Sequence, residues 1–135
     1  MGFCKPQNKQ PTKKERKETT TNCFLEAIKF ANKAIKINPK KADAYLAKGY
    51  FLASLYIINR KGDRAEEWGG LKKAEEFAEK GFNLINRNSY QYGLAGEVFT
   101  LCNNFEQATA SFAKLFELDD NCLLYTSDAA DDSQC

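Results

Sequence analysis

The chain has 135 residues, enough for one domain, and its 43% hydrophobic and 28% charged content is ordinary for a soluble globular protein. The net charge of +2 is unevenly distributed, because the two ends of the chain have opposite charge. Met1 to Thr20 carry six Lys or Arg against two Glu, whereas five Asp and no base follow from Asp119 onward. Histidine is absent, which removes the commonest general base and the commonest metal ligand.

The N-terminal segment, residues 1–22, is lysine-rich and has no apolar periodicity, so we expect it to be disordered. Its first residues, MGFC, match an acylation signal poorly, because Pro6 stands where Ser or Thr is required. The segment is too polar for a secretory signal, and no apolar run is long enough to cross a bilayer. Five scattered cysteines without a C-x-x-C pair indicate free thiols, so we expect a cytoplasmic protein.

Five helices follow in chain order. The first begins near Asn22 and is stopped by Asn38-Pro39, and the third begins between Asp63 and Gly70. The remaining three are predicted over residues 42–58, 89–102 and 105–118. Because no stretch alternates with a period of two over a strand length, the predicted fold class is all-α.

The helices contain an internal repeat. The pattern of the third helix recurs in the fifth after 34 positions: Ala74, Ala78, Gly81 and Leu84 become Ala108, Phe112, Leu115 and Leu118. The first helix has the same layout 47 positions before the third, which is 34 plus an insertion of 13, and its matching residues are Ala27, Ala31, Ala34 and Ile37. The helices that precede them also match, since Tyr45 and Gly49 recur as Tyr92 and Gly96.

This pattern resembles the tetratricopeptide repeat (TPR), a helix–turn–helix unit of about 34 residues. The resemblance spans residues 23–121, as a half repeat (23–41), a lengthened repeat (42–88) and a further repeat (89–122). It implies a right-handed superhelix of antiparallel helix pairs. We expect the small residues to lie where two helix backbones approach closely, and these are Gly49, Gly96, Ala27, Ala74 and Ala108.

In TPR proteins the first helix of each repeat lines a concave groove that holds a peptide or a partner helix. The residues at the matching positions here are Asp43, Leu46, Tyr50, Tyr90, Glu97 and Leu101. Some members clamp a C-terminal carboxylate with Lys, Asn and Arg, but apolar and aromatic residues stand at those places here. The resemblance therefore implies a non-catalytic scaffold for a protein or peptide partner. The alternative is that some of these residues pack against another repeat or the N-terminal arm.

Residue patterns for catalysis are missing from the sequence. The WGG at 68–70 lacks the spacing of a phosphate-binding loop, and Glu75 and Glu79 lie among lysines on what is expected to be a solvated helix face. Cys102 is expected to be a packing residue. We therefore predict no enzyme activity, no cofactor, no metal and no small-molecule substrate. Trp68, in the insertion, is expected either to pin the longer hairpin or to contact a partner.

A competing interpretation makes the protein an adaptor whose basic arm, residues 5–17, contacts nucleic acid or an anionic membrane. The sequence disfavours it, because no aromatic residue is interleaved for base stacking. Salt separates the two interpretations, since binding to phosphates weakens steeply as salt rises.

The C-terminal residues 122–135 differ from the rest. The string CLLYTSDAAD is what translation of a transposase adaptor used in sequencing libraries would produce, so we interpret the tail as non-native and expect it to be disordered. On that interpretation the natural protein is cut short. Its last helix then presents an apolar patch, and we expect end-to-end self-association; the patch residues are Phe112, Leu115, Phe116 and Leu118.

Overall fold

The computed structural model describes the backbone of residues 10–129 and the side chains of residues 10–119. Within this range the chain forms five α-helices and no strand: α1 Lys13–Ile37, α2 Ala42–Asn59, α3 Gly70–Leu84, α4 Ser89–Leu101 and α5 Phe105–Ala129. The predicted all-α class and the predicted number of helices are confirmed. Residues 1–9 and 130–135 lie outside the described part.

Helix α1 begins at Lys13, well before the predicted start near Asn22. A capping box starts it: the Thr12 hydroxyl accepts a hydrogen bond from the Glu15 amide at 3.1 Å, and the Glu15 carboxylate accepts one from the Thr12 amide at 2.7 Å. Directly before Asn22, Thr21 is buried and accepts a hydrogen bond from Asn59 Nδ2 at 3.2 Å. The prediction that residues 13–22 are disordered is therefore wrong.

Helix α5 also runs further than predicted. Its backbone stays helical to Ala129, whereas we expected disorder from residue 122 onward. The stretch from Phe105 to Ala129 contains neither glycine nor proline, so no residue in it ends a helix by its own backbone preference.

Consecutive helices pack against one another, and α2 also contacts α4. Helix α2 is therefore central, because it touches α1, α3 and α4. Most of the fully buried apolar side chains belong to one core cluster built from α2, α3 and α4: Leu46, Ala53, Ala74, Ala78, Ala95, Val98 and Phe99.

Small residues set the spacing of these helices. A Cβ atom added at Gly49 would lie 2.9 Å from the carbonyl oxygen of Ala74 and 3.3 Å from the amide nitrogen of Ala78. One at Gly96 would lie 2.6 Å from the ring of Phe112. Ala74, Ala78 and Ala108 are themselves buried. The predicted close approach of two helix backbones is confirmed at Gly49 and Ala74, whereas the neighbour of Gly96 is the Phe112 ring and Ala27 is only half-buried.

The connection between α2 and α3 is held by Trp68. Its indole is half-buried against the core, and the Arg64 guanidinium lies 4.8 Å from the ring centroid. Gly69 and Gly70 both have left-handed φ angles, 99° and 66°, which turn the chain into α3 without the strain that a side chain would introduce. Trp68 thus pins the long connection, the first of the two predicted roles.

Candidate partner-binding site

The six predicted groove residues lie in different environments. Leu46 is fully buried and packs where Gly81 has no side chain, since a Cβ there would lie 2.7 Å from Leu46 Cγ. Its predicted place in a partner-binding surface is therefore wrong. Tyr50 and Leu101 are half-buried and pack against the core. Only Tyr90 and Glu97 are exposed, both on α4.

Asp43 joins the two first helices of the predicted repeats. Its carboxylate accepts a hydrogen bond from the side-chain amide of Gln91, which connects the first turn of α2 to the first turn of α4. Asp43 is half-buried, so this contact helps to orient α4 on α2. The carboxylate is consequently engaged within the protein.

Tyr90 and Glu97 line a cavity of about 480 Å³ between α4 and α5, the α4–α5 cavity. The other lining residues are Ser89, Gly93 and Leu94 of α4 and Phe112, Leu115 and Asp119 of α5. The floor is apolar, the rim has two carboxylates, and the Tyr90 side chain is 73% exposed above it. Such a surface suits an apolar side chain with a basic or hydrogen-bond-donating neighbour.

The sequence predicted only some of the residues that line this cavity. Tyr90 and Glu97 came from the TPR resemblance, and Phe112 and Leu115 from the predicted apolar patch on the last helix. That patch exists: Phe116 is exposed, and Phe112, Leu115 and Leu118 are half-buried. The residues that were missed are Ser89 and Asp119. The repeat does not single them out, since Ser89 matches the buried Ala42 and Asp119 matches Ile85, which follows the end of α3.

Cys102 is buried, and Glu75 lies close enough for its charge to affect the thiol. Burial, together with the nearby charge of Glu75, raises the pKa of the Cys102 thiol to about 12. The thiol therefore stays protonated near neutral pH, as suits the predicted packing residue. Glu75 is half-buried and accepts a hydrogen bond from Asn104 Nδ2 at 2.6 Å. Glu75 thus does not lie on the solvated face that was predicted for it.

Within residues 10–129 no helix combines the length and the apolar character needed to span a bilayer. Among the side chains that the structure describes, residues 10–119, no group of three potential metal ligands occurs. No protein-family model, curated protein or solved structure matches the chain. Its function must therefore be argued from the geometry of the site.

Proposed function

We propose that the chain is a non-catalytic scaffold with a TPR-like superhelix, and that it binds a protein or peptide partner in the α4–α5 cavity. The observation that carries the proposal is Tyr90, an aromatic side chain left 73% exposed beside an apolar floor. The buried Gly49 and Ala74 support the superhelix, because they recur at matching positions as the buried Gly96 and Ala108. A cytoplasmic location is part of the proposal and suits the free thiols of Cys23 and Cys102.

The partner would bind through two kinds of contact. An apolar side chain would pack on Leu94, Phe112 and Leu115, which supply the buried centre of the contact. The Tyr90 ring would cover it, and tyrosine is among the residues that dominate binding energy at interfaces. The Glu97 carboxylate would orient a basic residue of the partner and exclude an acidic one.

Replacing Tyr90 tests the proposal. Peptides selected from a random displayed library on the full chain should bind Tyr90→Ala at least about tenfold more weakly than the wild type, because the variant removes the ring that covers the apolar contact. Fluorescence anisotropy of the selected peptides measures the change. Phe105→Ala is the matched control, since Phe105 is an exposed aromatic of α5 outside the cavity. Equal affinity for the wild type and Tyr90→Ala would contradict the proposal.

The second candidate function, a basic-arm adaptor, rests on the N-terminal turns of α1. Lys13, Lys14, Arg16 and Lys17 are exposed there on one continuous helix. Lys14, Lys17 and Arg64 also line a cavity of about 130 Å³, together with the acidic Glu18 and Asp63. If the chain acts through this arm, it should bind a single-stranded oligonucleotide with an affinity that falls steeply as salt rises. The affinity for a peptide in the α4–α5 cavity should not show the same dependence on salt.

Self-association of two copies is a further part of the proposal. Phe116 is 61% exposed and adjoins the half-buried Phe112 and Leu115. Light scattering at high micromolar concentration should therefore give a mass above the 15.3 kDa of one chain, and Phe116→Ser should restore that mass. Phe105→Ser serves as the control, because Phe105 is an equally exposed phenylalanine at the start of α5 that lines none of the described cavities. A strictly monomeric wild type would contradict self-association.

A further inference from the structure

An apolar groove runs between α1 and α2, on a part of the molecule that the α4–α5 cavity does not include. A cavity of about 430 Å³ is lined mainly by small side chains, Ala27, Ala31 and Ala34 of α1 and Ala44 and Ala47 of α2, with Phe30 and Phe51 beside them. A second cavity of about 540 Å³ shares Ala27 and Phe30 and continues along α1 to Thr19. The second cavity is lined by α1 alone and includes the polar Thr19, Asn22 and Glu26, so the part shared by α1 and α2 runs from Ala27 to Ala34, about 10 Å along α1. We call this surface the α1–α2 groove.

The same residue pattern 47 positions later shows what covers such a groove. Ala74, Ala78 and Gly81 of α3 match the three alanines of α1, and all three are buried because α2 lies on them. Leu46, near the start of α2, contacts Gly81, near the end of α3. Gly49, one turn further along α2, contacts Ala74, near the start of α3. Helix α2 is therefore antiparallel to α3.

The second wall of the groove repeats as well. Ala44 and Phe51 of α2 correspond to Gln91 and Val98 of α4. Gln91 donates a hydrogen bond to α2, and Val98 Cγ1 lies 3.3 Å from the place of a Cβ at Gly49. Helix α2 thus sits in the groove between α3 and α4. The equivalent groove between α1 and α2 holds none of the described helices.

We propose that the α1–α2 groove binds an amphipathic α-helix of a partner protein, antiparallel to α1. The shape of the groove restricts which residues that helix can carry at two positions. Glycine or alanine is required where it crosses Ala27, because the matching contact in the protein is Gly49 on Ala74. A residue smaller than leucine is required opposite Ala34, because Ala34 has the Cβ that Gly81 lacks, and Leu46 Cγ would lie 2.7 Å from such a Cβ.

The charge at one end of the groove specifies the first turn of the partner helix. The last turn of α1 and the following turn expose Lys33, Lys36, Lys40 and Lys41, whereas the carboxylate of Asp43 is bonded to Gln91. An antiparallel helix places its N-terminal turn there, where acidic residues interact favourably both with these lysines and with their own helix dipole. Helix α2 has the same arrangement, with Asp43 in its first turn and Lys80 5.8 Å from the Tyr45 ring.

The rest of the printed sequence does not supply this helix. Residues 1–9 and 130–135 lack apolar residues at helical spacing, and Pro6 interrupts the first of the two segments. Helices α2 and α4 are engaged within the protein, since each packs against its neighbours. The partner helix that fits the groove thus has a small residue at its centre and an acidic first turn.

A peptide derived from α2 tests the proposal. A fluorescein-labelled peptide with the sequence of residues 42–59, the change Leu46→Ala and a C-terminal lysine tag for solubility is titrated with the full chain. We expect saturable binding, weakened at least about tenfold when the peptide also carries Gly49→Leu. Ala27→Lys in the protein should weaken binding equally, because it fills the groove at the crossing point. Ala113→Lys should leave affinity unchanged, since Ala113 is an exposed alanine on α5.

Other outcomes would overturn the proposal. Unchanged affinity for Ala27→Lys would do so, and so would loss of binding with Leu115→Lys alone, which would place the peptide in the α4–α5 cavity. A chain that dimerises without peptide, and becomes monomeric with Ala27→Lys, would make a second copy the occupant. If circular dichroism shows Ala27→Lys to be unfolded, Ala47→Gln on the opposite wall replaces it, with the same expected loss and the same contradicting result.

Discussion

Gly49→Ala is expected to destabilise the protein, although alanine is the better helix former. The added Cβ would lie 2.9 Å from the Ala74 carbonyl oxygen and 3.3 Å from the Ala78 nitrogen. Both are backbone atoms of α3, so the helices must separate. Overpacking costs about 1–3 kcal/mol and helix propensity returns less than about 1 kcal/mol, so we expect a net loss of about 1–2 kcal/mol. Gly49→Leu should lose about 3 kcal/mol or more.

The control is another helical glycine, Gly93 on α4. A Cβ added there meets only Leu115 Cδ2, at 3.8 Å, which is an ordinary contact. Gly93→Ala should therefore stabilise the protein by about 0.5–1 kcal/mol through helix propensity alone. Urea denaturation of the two variants measures both changes. Stabilisation by Gly49→Ala, equal to that by Gly93→Ala, would show that α2 and α3 do not meet as described.

Phe99→Ala is expected to cause the largest loss of stability among single side-chain truncations. Phe99 is the largest fully buried side chain among the described residues. Its ring meets that of Phe82 edge to face at 6.0 Å, and Phe82 in turn meets Tyr92 at 5.8 Å. Truncation removes this contact and leaves a cavity between α3 and α4, at a cost of about 3–5 kcal/mol. A domain of this size is stable by only about 5–15 kcal/mol, so the variant should unfold at much lower temperature.

Thermal and urea unfolding followed by circular dichroism measure the effect of Phe99→Ala. The matched control is Phe105→Ala, because the Phe105 side chain is 60% exposed and its truncation leaves little unfilled space. The control should lose less than about 1 kcal/mol, which is the usual range for a surface substitution. Equal losses in the two variants would mean that Phe99 is not at the centre of the core.

The interiors of the helices were predictable from the sequence because their signals are local. Apolar spacing located all five helices, and the structure confirms the end of the first helix before Asn38-Pro39 and the start of the third between Asp63 and Gly70. The ends of the chain were predicted less well. Residues 13–22 have no apolar stripe, yet they are helical, because Thr12 and Glu15 cap the helix and Thr21 is buried against Asn59. Local composition therefore did not reveal the contact between Thr21 and Asn59, which are 38 positions apart in the chain.

In the candidate site, too, local sequence signals did not show which residues are covered by other helices. Leu46 and Tyr90 were both predicted to line a groove, because both lie at inward positions of a first helix. The structure buries Leu46 in the space left by Gly81 and leaves Tyr90 exposed. Helical period places a residue on a face, but it does not state whether another helix covers that face.

The sequence by itself determined the all-α class, the helix interiors and the small residues at which helices meet. These features depend on backbone preference, helical period and side-chain volume, and each can be read from a short stretch of chain. Only the tertiary structure decided which apolar faces are covered and which remain open. Burial is a property of two surfaces that are distant in sequence, so the exposure of Tyr90 and the open groove beside Ala27 follow from where α5 and α2 lie.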